Sequence, residues 1–255
     1  MKLKYNIDFV EDKYIKSNLK KAISVLEKSF YTHKEVSSFF LNPFEIKIIK
    51  DIARLNSIDI VFLSPNIKSE RKIFIANPYS SNLNSKDYFS VLEFTHKDIR
   101  HPDVLGSLMN LGLERNDIGD IFIEYGICEF VILNKEKNFV KFNLSKIKDE
   151  SINLKFKEDN TMQNLDIEYN EFMGFVSSLR LDNIISELIN LSRAKAKNII
   201  SRRLVKIDYQ TIDNPSKEVQ EGSLISIRSY GRFIFDEIKG LSKKGNYRIK
   251  YRKYK

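Results

Sequence analysis

The chain has 255 residues, of which 42% are hydrophobic, and it carries 43 Lys and Arg against 34 Asp and Glu, a net charge of +9. These values predict a folded protein with a sizeable core, long enough for two or three compact units. A single cysteine, Cys128, excludes an internal disulfide and a multi-cysteine zinc site. The N-terminus resembles no signal peptide and no stretch approaches about 18 consecutive apolar residues, so we expect a cytoplasmic protein without membrane contact.

The positive charge is concentrated at the C-terminal end. Residues 180–255 hold 18 Lys and Arg against 8 Asp and Glu, whereas residues 1–179 hold 25 against 26. This asymmetry predicts a polyanionic partner, with ribosomal or other structured RNA as the first candidate. Because the whole chain is rich in lysine, some of these charges carry no functional meaning.

The N-terminal 80 residues predict a small α/β unit. Apolar spacing indicates one bent helix or two short ones over Asp8–Phe30, and a capping residue before a proline indicates a helix over Pro43–Arg54. Two β-branched runs then predict strands Ile58–Leu63 and Ile73–Ala76. Loop-forming residues from 76 to 85 favour a boundary near residue 80.

The middle of the chain predicts a four-stranded antiparallel sheet backed by two helices, a ferredoxin-like layout that RNA-recognition motifs share. The predicted elements are strand Tyr88–Thr95, helix Pro102–Leu113, strands Asp120–Glu124 and Ile127–Leu133, helix Phe139–Ile147 and strand Ile152–Phe156. The fold class is therefore α+β.

RNA binding by such a sheet requires exposed aromatic residues on its central strands. The strand Ile127–Leu133 offers only Phe130, which favours a structural or protein-contacting sheet over base stacking. Phe130 and Arg115 are nevertheless candidates for a second RNA site, because Arg115 could either reach a phosphate or pair with a carboxylate. His101 and Asp103 are interpreted as helix-capping residues rather than an acid–base pair.

The C-terminal segment predicts two short helices with a basic edge. The first begins at Arg180-Leu181-Asp182, with Asp182 as its expected N-cap, and Ser192 caps the second. Strands Val205–Ile207 and Leu224–Arg228 follow.

This pattern resembles the S-four type RNA-binding module, which has an Arg-Leu-Asp signature, a Ser-Arg starting its second helix and a Gly-Asp before its last strand. The resemblance implies that the basic helix edge and the following loop dock on folded RNA. The chain departs from the module at Arg203, where a glycine usually ends the helix, and at Asp208-Tyr209, where Asn-Gly is usual. We expect Arg203 either to adopt a left-handed conformation or to continue the helix.

Ten residues are candidate RNA contacts: Arg180, Ser192, Arg193, Lys195, Lys197, Arg202, Arg203, Lys206, Arg228 and Arg232. Arg193 and Arg202 are favoured most, because guanidinium groups bind phosphate in a bidentate manner. The terminal run Lys239–Lys255 is expected to add only general attraction. No catalytic residue, metal site or cofactor is predicted.

Three further blocks extend the resemblance to the YlmH family of bacterial proteins. They are His101-Pro102-Asp103-Val104-Leu105-Gly106-Ser107-Leu108, Leu111-Gly112-Leu113-Glu114-Arg115 and Ile118-Gly119-Asp120-Ile121. The resemblance implies an N-terminal α/β domain (1–80), a domain like an RNA-recognition motif (81–172) and an S-four domain (173–255). It also implies association with ribosomal RNA and tRNA on the large ribosomal subunit, and a role in ribosome-associated quality control that holds peptidyl-tRNA on obstructed subunits.

Three other interpretations remain open. S-four modules also accompany pseudouridine synthases and methyltransferases, but the chain has no G-x-G-x-x-G loop and its one Arg-Leu-Asp starts the S-four module, so a non-catalytic protein is predicted. In a second interpretation, which is compatible with RNA docking, residues 1–170 bind a protein partner while the module supplies localisation. Because family genes often neighbour cell-division genes, an accessory role in division is a further hypothesis.

Overall fold

The computed structural model describes residues 3–79, 82–163 and 168–254. The chain divides into two compact units, residues 1–165 and 166–255. Within the described residues, no helix is both long and apolar enough to cross a membrane.

Unit one contains four helices and nine strands in its described part. In chain order they are α1 Lys13–Thr32, β1 Val36–Ser37, α2 Pro43–Leu55, β2 Ile60–Leu63, β3 Ile73–Ala76, β4 Phe89–Thr95, α3 His101–Asn110, β5 Ile118–Glu124, β6 Ile127–Leu133, α4 Lys137–Asn143, β7 Lys146–Ile147, β8 Glu150–Ser151 and β9 Lys155–Phe156.

The first helices begin where side chains satisfy their open backbone amides. Asp12 accepts hydrogen bonds from two amides of the first turn, so α1 begins at Lys13 and not at Asp8. At α2, the side chains of Asn42 and Glu45 bond each other's backbone amides at 3.0 and 2.9 Å. The predicted α2 and the antiparallel strands β2 and β3 are confirmed. The two-residue β1, which pairs with β3, is too short for a periodic signal.

The central sheet has the predicted ferredoxin-like topology. Its strands lie in the order β9-β4-β6-β5 and are antiparallel, which is fourth-first-third-second along this part of the chain. Helices α3 and α4 place Val104, Leu108 and Val140 against Leu92 and Phe130 on one face of the sheet. Helix α4 and strand β9 are shorter than predicted.

The other face of the central sheet is closed by the N-terminal part of the chain. Phe40 and Ile73 share a fully buried core with Phe89 and Val131. The two parts approach so closely that position 119 requires glycine, because a Cβ there would collide with Val131. The predicted boundary at residues 80 and 81 lies outside the described residues, and the parts flanking it share this core.

Unit two contains two helices and one six-stranded antiparallel sheet in its described part. In chain order its elements are β10 Tyr169–Val176, α5 Leu181–Leu188, α6 Arg193–Ser201, β11 Val205–Ile207, β12 Gln210–Ile212, β13 Leu224–Ile227, β14 Gly231–Leu241 and β15 Tyr247–Tyr254. The strands lie in the order β10-β15-β14-β13-β11-β12. Strand β10 spans the predicted boundary at residue 172 and pairs along its whole length with β15.

Both helices of unit two pack on one face of this sheet. Ile185 and Ile200 lie in one core with Val205, Phe233 and Phe235. The predicted helices and the strands at β11 and β13 are confirmed. Strands β10, β12, β14 and β15 were not predicted, since the cations that alternate with apolar residues in β15 gave this segment the composition of a charged tail.

Candidate nucleic-acid interface

The predicted basic edge forms along α6. We call Arg193, Lys195, Lys197, Arg202 and Arg203 the α6 edge; all five are exposed. The buried Ala196 and Ile200 hold the opposite side of the helix against the sheet. The Ser192 hydroxyl accepts a hydrogen bond from the Lys195 amide at 3.4 Å, which confirms its capping role.

Asp182 organises this edge from beneath. Its fully buried carboxylate accepts hydrogen bonds from Arg180, at 3.2 and 3.1 Å, and from Arg193, at 3.0 and 3.3 Å. The Lys197 ammonium lies 3.8 Å from the same carboxylate. Three cations from the start of α5 and from α6 are therefore held around one anion, while their own side chains stay 37–51% exposed.

The prediction that Asp182 is the N-cap of the first helix was wrong. Helix α5 begins at Leu181 with Arg180 in the N-cap position, so Asp182 lies in the first turn. Burial of Asp182 opposes its ionisation, but the hydrogen bonds from Arg180 and Arg193 outweigh it and hold the pKa of the carboxyl below its usual value. The carboxylate thus stays charged near neutral pH and keeps the arginines in place.

Helix α6 ends at a left-handed arginine. Arg203 has φ of 59°, and the amides of Arg203 and Leu204 bond the carbonyls of Ile200 and Ile199 at 2.8 and 3.2 Å. This is the Schellman arrangement, in which glycine is the usual residue because it has no Cβ. The first of the two expectations for Arg203 is confirmed, and the position carries a cation where the resembling module has none.

The next turn is also left-handed without glycine. Asp208 and Tyr209 have φ of 47° and 71° and form the two-residue loop between Ile207 and Gln210, which pair across it. A type I′ turn requires positive φ at both positions, which is why Asn-Gly is usual there. The chain keeps the turn and places a tyrosine ring at its second position.

The structure does not bring all ten predicted residues together. Lys206 alternates with the buried Val205 and Ile207, so it lies on the sheet face opposite the helices. Arg232, which precedes the buried Phe233, lies on that same face in register with Ser226. Arg228 follows β13 and is exposed.

Of the two residues suggested as a second site, Phe130 is inaccessible to RNA and Arg115 is partly buried. Phe130 is fully buried, since its strand turns it toward α3 and α4. Arg115 donates from Nη1 to the Ile118 and Gly119 carbonyls at 2.6 and 3.2 Å, so this nitrogen is engaged within the protein. Burial, with the positive charge of Arg71, lowers the pKa of Arg115.

The other chemistry-bearing side chains of unit one have structural environments. Asp103 accepts from the Arg100 amide at 2.9 Å, confirming its capping role, and its carboxylate pairs with Lys148 at 2.6 Å. Burial raises the pKa of the Cys128 thiol to about 12. Across residues 3–79, 82–163 and 168–254, no cluster of His, Cys, Asp or Glu is suited to a metal ion.

Sequence reasoning missed the tyrosines of unit two. Tyr169, Tyr209 and Tyr254 lie with Arg232 and Arg252 on the sheet face that carries Lys206. The period-two alternation of residues 247–254 was the available signal.

A ferredoxin-like sheet followed along the chain by a helix pair with a clamped basic edge is typical of RNA-binding proteins. Residues 91–163 match the family model described as "Putative RNA-binding domain in YlmH", and residues 179–225 match the S4 domain, which is the S-four module. Both matches agree with the resemblance to the YlmH family that the sequence motifs indicate.

Two similar proteins span much of the chain. It is 27% identical over 223 residues to "Ribosome-associated protein quality control protein P2" of Bacillus subtilis (strain 168), which covers 85% of this chain and 86% of that protein. The solved structure "Cell division protein ylmH from Streptococcus pneumoniae" superposes with a TM-score of 0.52 at 18% identity, covering 62% of this chain and 95% of that one. At that identity the second likeness shows a shared fold.

Proposed function

We propose that this protein is a non-catalytic RNA-binding factor that docks through the α6 edge on ribosomal RNA or tRNA of the large ribosomal subunit. Its process would be ribosome-associated quality control in the cytoplasm, where it would hold peptidyl-tRNA on obstructed subunits. The name of the Bacillus subtilis relative and the two RNA-binding domains support this proposal.

The Asp182 clamp is the observation that carries the proposal. A flexible surface lysine loses side-chain entropy when it meets a phosphate, whereas Arg180 and Arg193 are already oriented by a buried anion. Their outward edges present oriented cations to a folded RNA backbone, and the exposed Lys195 and Arg202 add positive charge beside them. Each phosphate neutralised releases counterions.

The same clamp disfavours catalysis at the Arg-Leu-Asp sequence. A pseudouridine synthase would need its aspartate accessible to a base, but Asp182 is fully buried and engaged by two arginines. Mass analysis of ribosomal RNA from cells lacking the protein tests the enzymatic alternative. We expect every modification to remain; one lost modification that is restored by wild type would contradict a purely binding role.

Salt-dependent binding of the full-length protein to purified large subunits tests the docking edge. Replacing Lys195 and Arg202 by alanine should lower the slope of log affinity against log salt by about 0.7–0.9 per lost contact. Neither side chain belongs to the Asp182 clamp, so the fold should be unaffected. The readout is co-sedimentation across a salt series.

The matched control removes the same charge elsewhere in unit two. Lys243→Ala with Lys244→Ala acts in the turn between β14 and β15. Equal losses for both double variants would reduce the effect to general attraction, and unchanged slopes for the α6 variant would overturn docking through this edge. In cells, peptidyl-tRNA should leave obstructed subunits faster with the α6 variant than with the control.

Two other roles, in cell division and in binding a protein partner, have less support. The cell-division name belongs to a protein that shares the fold at 18% identity. A protein partner on residues 1–170 would fit exposed aromatic side chains such as Phe142, which is 83% exposed. Pull-down with the Phe142→Ser variant compares that role with RNA docking.

A further inference from the structure

The sheet face of unit two that lies opposite α5 and α6 carries a continuous strip of rings and guanidinium groups. We call Tyr169, Tyr209, Arg232, Arg252 and Tyr254 the Tyr–Arg strip. The alternation of the strands places them there, since Phe233, Phe235, Ile249 and Tyr251 turn toward the helices. The strip members are half-buried, so each ring keeps part of its surface in solvent.

The strip is held together by ring contacts. Tyr169 and Tyr254, which pair across β10 and β15, meet edge to face with centroids 5.0 Å apart. The Arg232 guanidinium carbon lies 4.7 Å from the Tyr254 ring centroid and 5.9 Å from that of Tyr209. The guanidinium carbon of Arg252 lies 4.6 Å from the Tyr169 centroid. Rings and cations therefore alternate across the sheet.

Tyr209 joins the strip at a conformational cost. Its φ of 71° lies in the left-handed region, which costs a non-glycine residue roughly 1–2 kcal/mol. Its hydroxyl lies 3.3 Å from Arg232 Nη2, which donates to it. Glycine would fit this turn without strain. What tyrosine adds there, at the cost of strain, is its aromatic ring.

This face carries both carboxylates and cations, and Glu171, in register with Arg252, pairs with Lys250 at 3.0 Å. Asp236 neutralises Arg252 through two hydrogen-bonding nitrogens, at 2.9 and 2.6 Å. Lys206, exposed on the same face and in register with Ser226 beside Arg232, adds a further cation. Aromatic rings interleaved with cations on an open sheet bind single-stranded nucleic acid, since bases stack on the rings while cations follow the phosphates.

We propose that the Tyr–Arg strip is a second RNA-binding surface, which stacks the bases of unpaired nucleotides. A duplex cannot use it, because paired bases hide their faces within the helix stack. The strip lies on the opposite sheet face from the packing side of α6, and its ligand differs from the folded backbone proposed for the α6 edge. The inference stands whether or not that edge docks on ribosomes.

Binding of a fluorescein-labelled uridine oligomer of about ten nucleotides to the full-length protein tests the surface. Tyr169→Leu with Tyr254→Leu should weaken binding by about tenfold or more, because stacking on two rings is lost. Tyr169→Phe with Tyr254→Phe keeps both rings and should stay within about twofold of wild type. Fluorescence anisotropy at fixed salt gives each affinity.

The Tyr209→Gly variant distinguishes the loss of a stacking ring from a loss of folding. It removes one ring while relieving the left-handed strain, so it should raise the melting temperature and still weaken oligomer binding several-fold. Lys195→Ala with Arg202→Ala should leave oligomer affinity within about twofold while weakening subunit binding, which separates the two surfaces.

Photocrosslinking identifies the contacted side chains. An oligomer with 5-iodouridine should give adducts at Tyr169, Tyr209 or Tyr254 in mass spectra of the digested protein. Adducts only at other residues would overturn the proposal. So would equal losses for the leucine and phenylalanine variants, or the absence of measurable oligomer binding.

Discussion

The two large sheets of this protein differ in what meets their second face. Each carries two helices on one face. The central sheet buries its other face against Phe40 and Ile73, whereas the C-terminal sheet presents Tyr169, Arg232 and Tyr254 there. Strand order therefore identifies a fold, while the residues on the second face determine whether a sheet can contact RNA.

The largest expected effect comes from emptying the core of the central sheet. Phe130→Ala should lower the free energy of unfolding of unit one by about 3–5 kcal/mol, because the ring is fully buried. This loss of stability is measured by the rate at which a thiol reagent modifies the buried Cys128, which should increase. Tyr254→Ala should leave that rate unchanged. A Phe130 variant as protected as wild type would break the contrast between the sheets.

The packing on the second face of the central sheet should be nearly as sensitive to substitution. Gly119→Ala inserts a methyl group that collides with Val131 beside Phe40, and should cost about 2–3 kcal/mol of unfolding free energy. Gly106→Ala is the matched control, since nothing lies within 4 Å of the added atom and alanine favours a helix. Hydrogen exchange of β4 and β6 amides should accelerate only for Gly119→Ala. Equal protection in both variants would contradict a tightly closed face.

In unit two, Asp182→Asn removes the charge that holds the α6 edge. We expect a loss of about 1–2 kcal/mol in unfolding free energy, reduced by solvent screening because the arginine partners are partly exposed. Binding to large subunits should fall more than with Asn183→Ala, a neighbouring control. Calorimetry and co-sedimentation measure the two effects, and unchanged subunit binding would show that the clamp does not prepare the edge.

The same carboxylate predicts a pH dependence. Since the folded state lowers the pKa of Asp182, its stabilisation is present above the unfolded value of about 4 and is lost as pH falls through the folded value. Between about pH 5 and pH 3, unit two of the wild type should lose stability faster than unit two of Asp182→Asn. Hydrogen exchange of unit two measures its stability at each pH. An equal pH dependence in wild type and Asp182→Asn would contradict this prediction.

The smallest expected effect lies at the end of α6. Arg203→Gly should raise the free energy of unfolding by about 1 kcal/mol, because glycine adopts φ of 59° without strain, and it should weaken subunit binding. Asn190→Gly, also at positive φ, changes no charge and should leave binding intact. Unchanged or stronger binding by the Arg203 variant would show that this cation does not contact RNA.

Much of the fold followed from local signals. Ser192 caps α6 as predicted, and the β-α-β-β-α-β order gave the central topology. The candidate site was predicted less completely. Arg193 was placed correctly on a basic helix edge, but its engagement with Asp182 depends on two helices meeting, and no spacing along the chain encodes that distance.

The sequence by itself determined the helix pair, the basic segment 180–255 and the family resemblance, because capping, periodicity and charge are local properties. Only the tertiary structure decided which residues share a surface. It buried Phe130, placed Lys206 and Arg232 on the sheet face opposite the helices, and joined Tyr169 to Tyr254 across strands far apart in the chain. The physical reason is that a strand's two faces are distinguished by what packs on them, and packing partners come from distant segments.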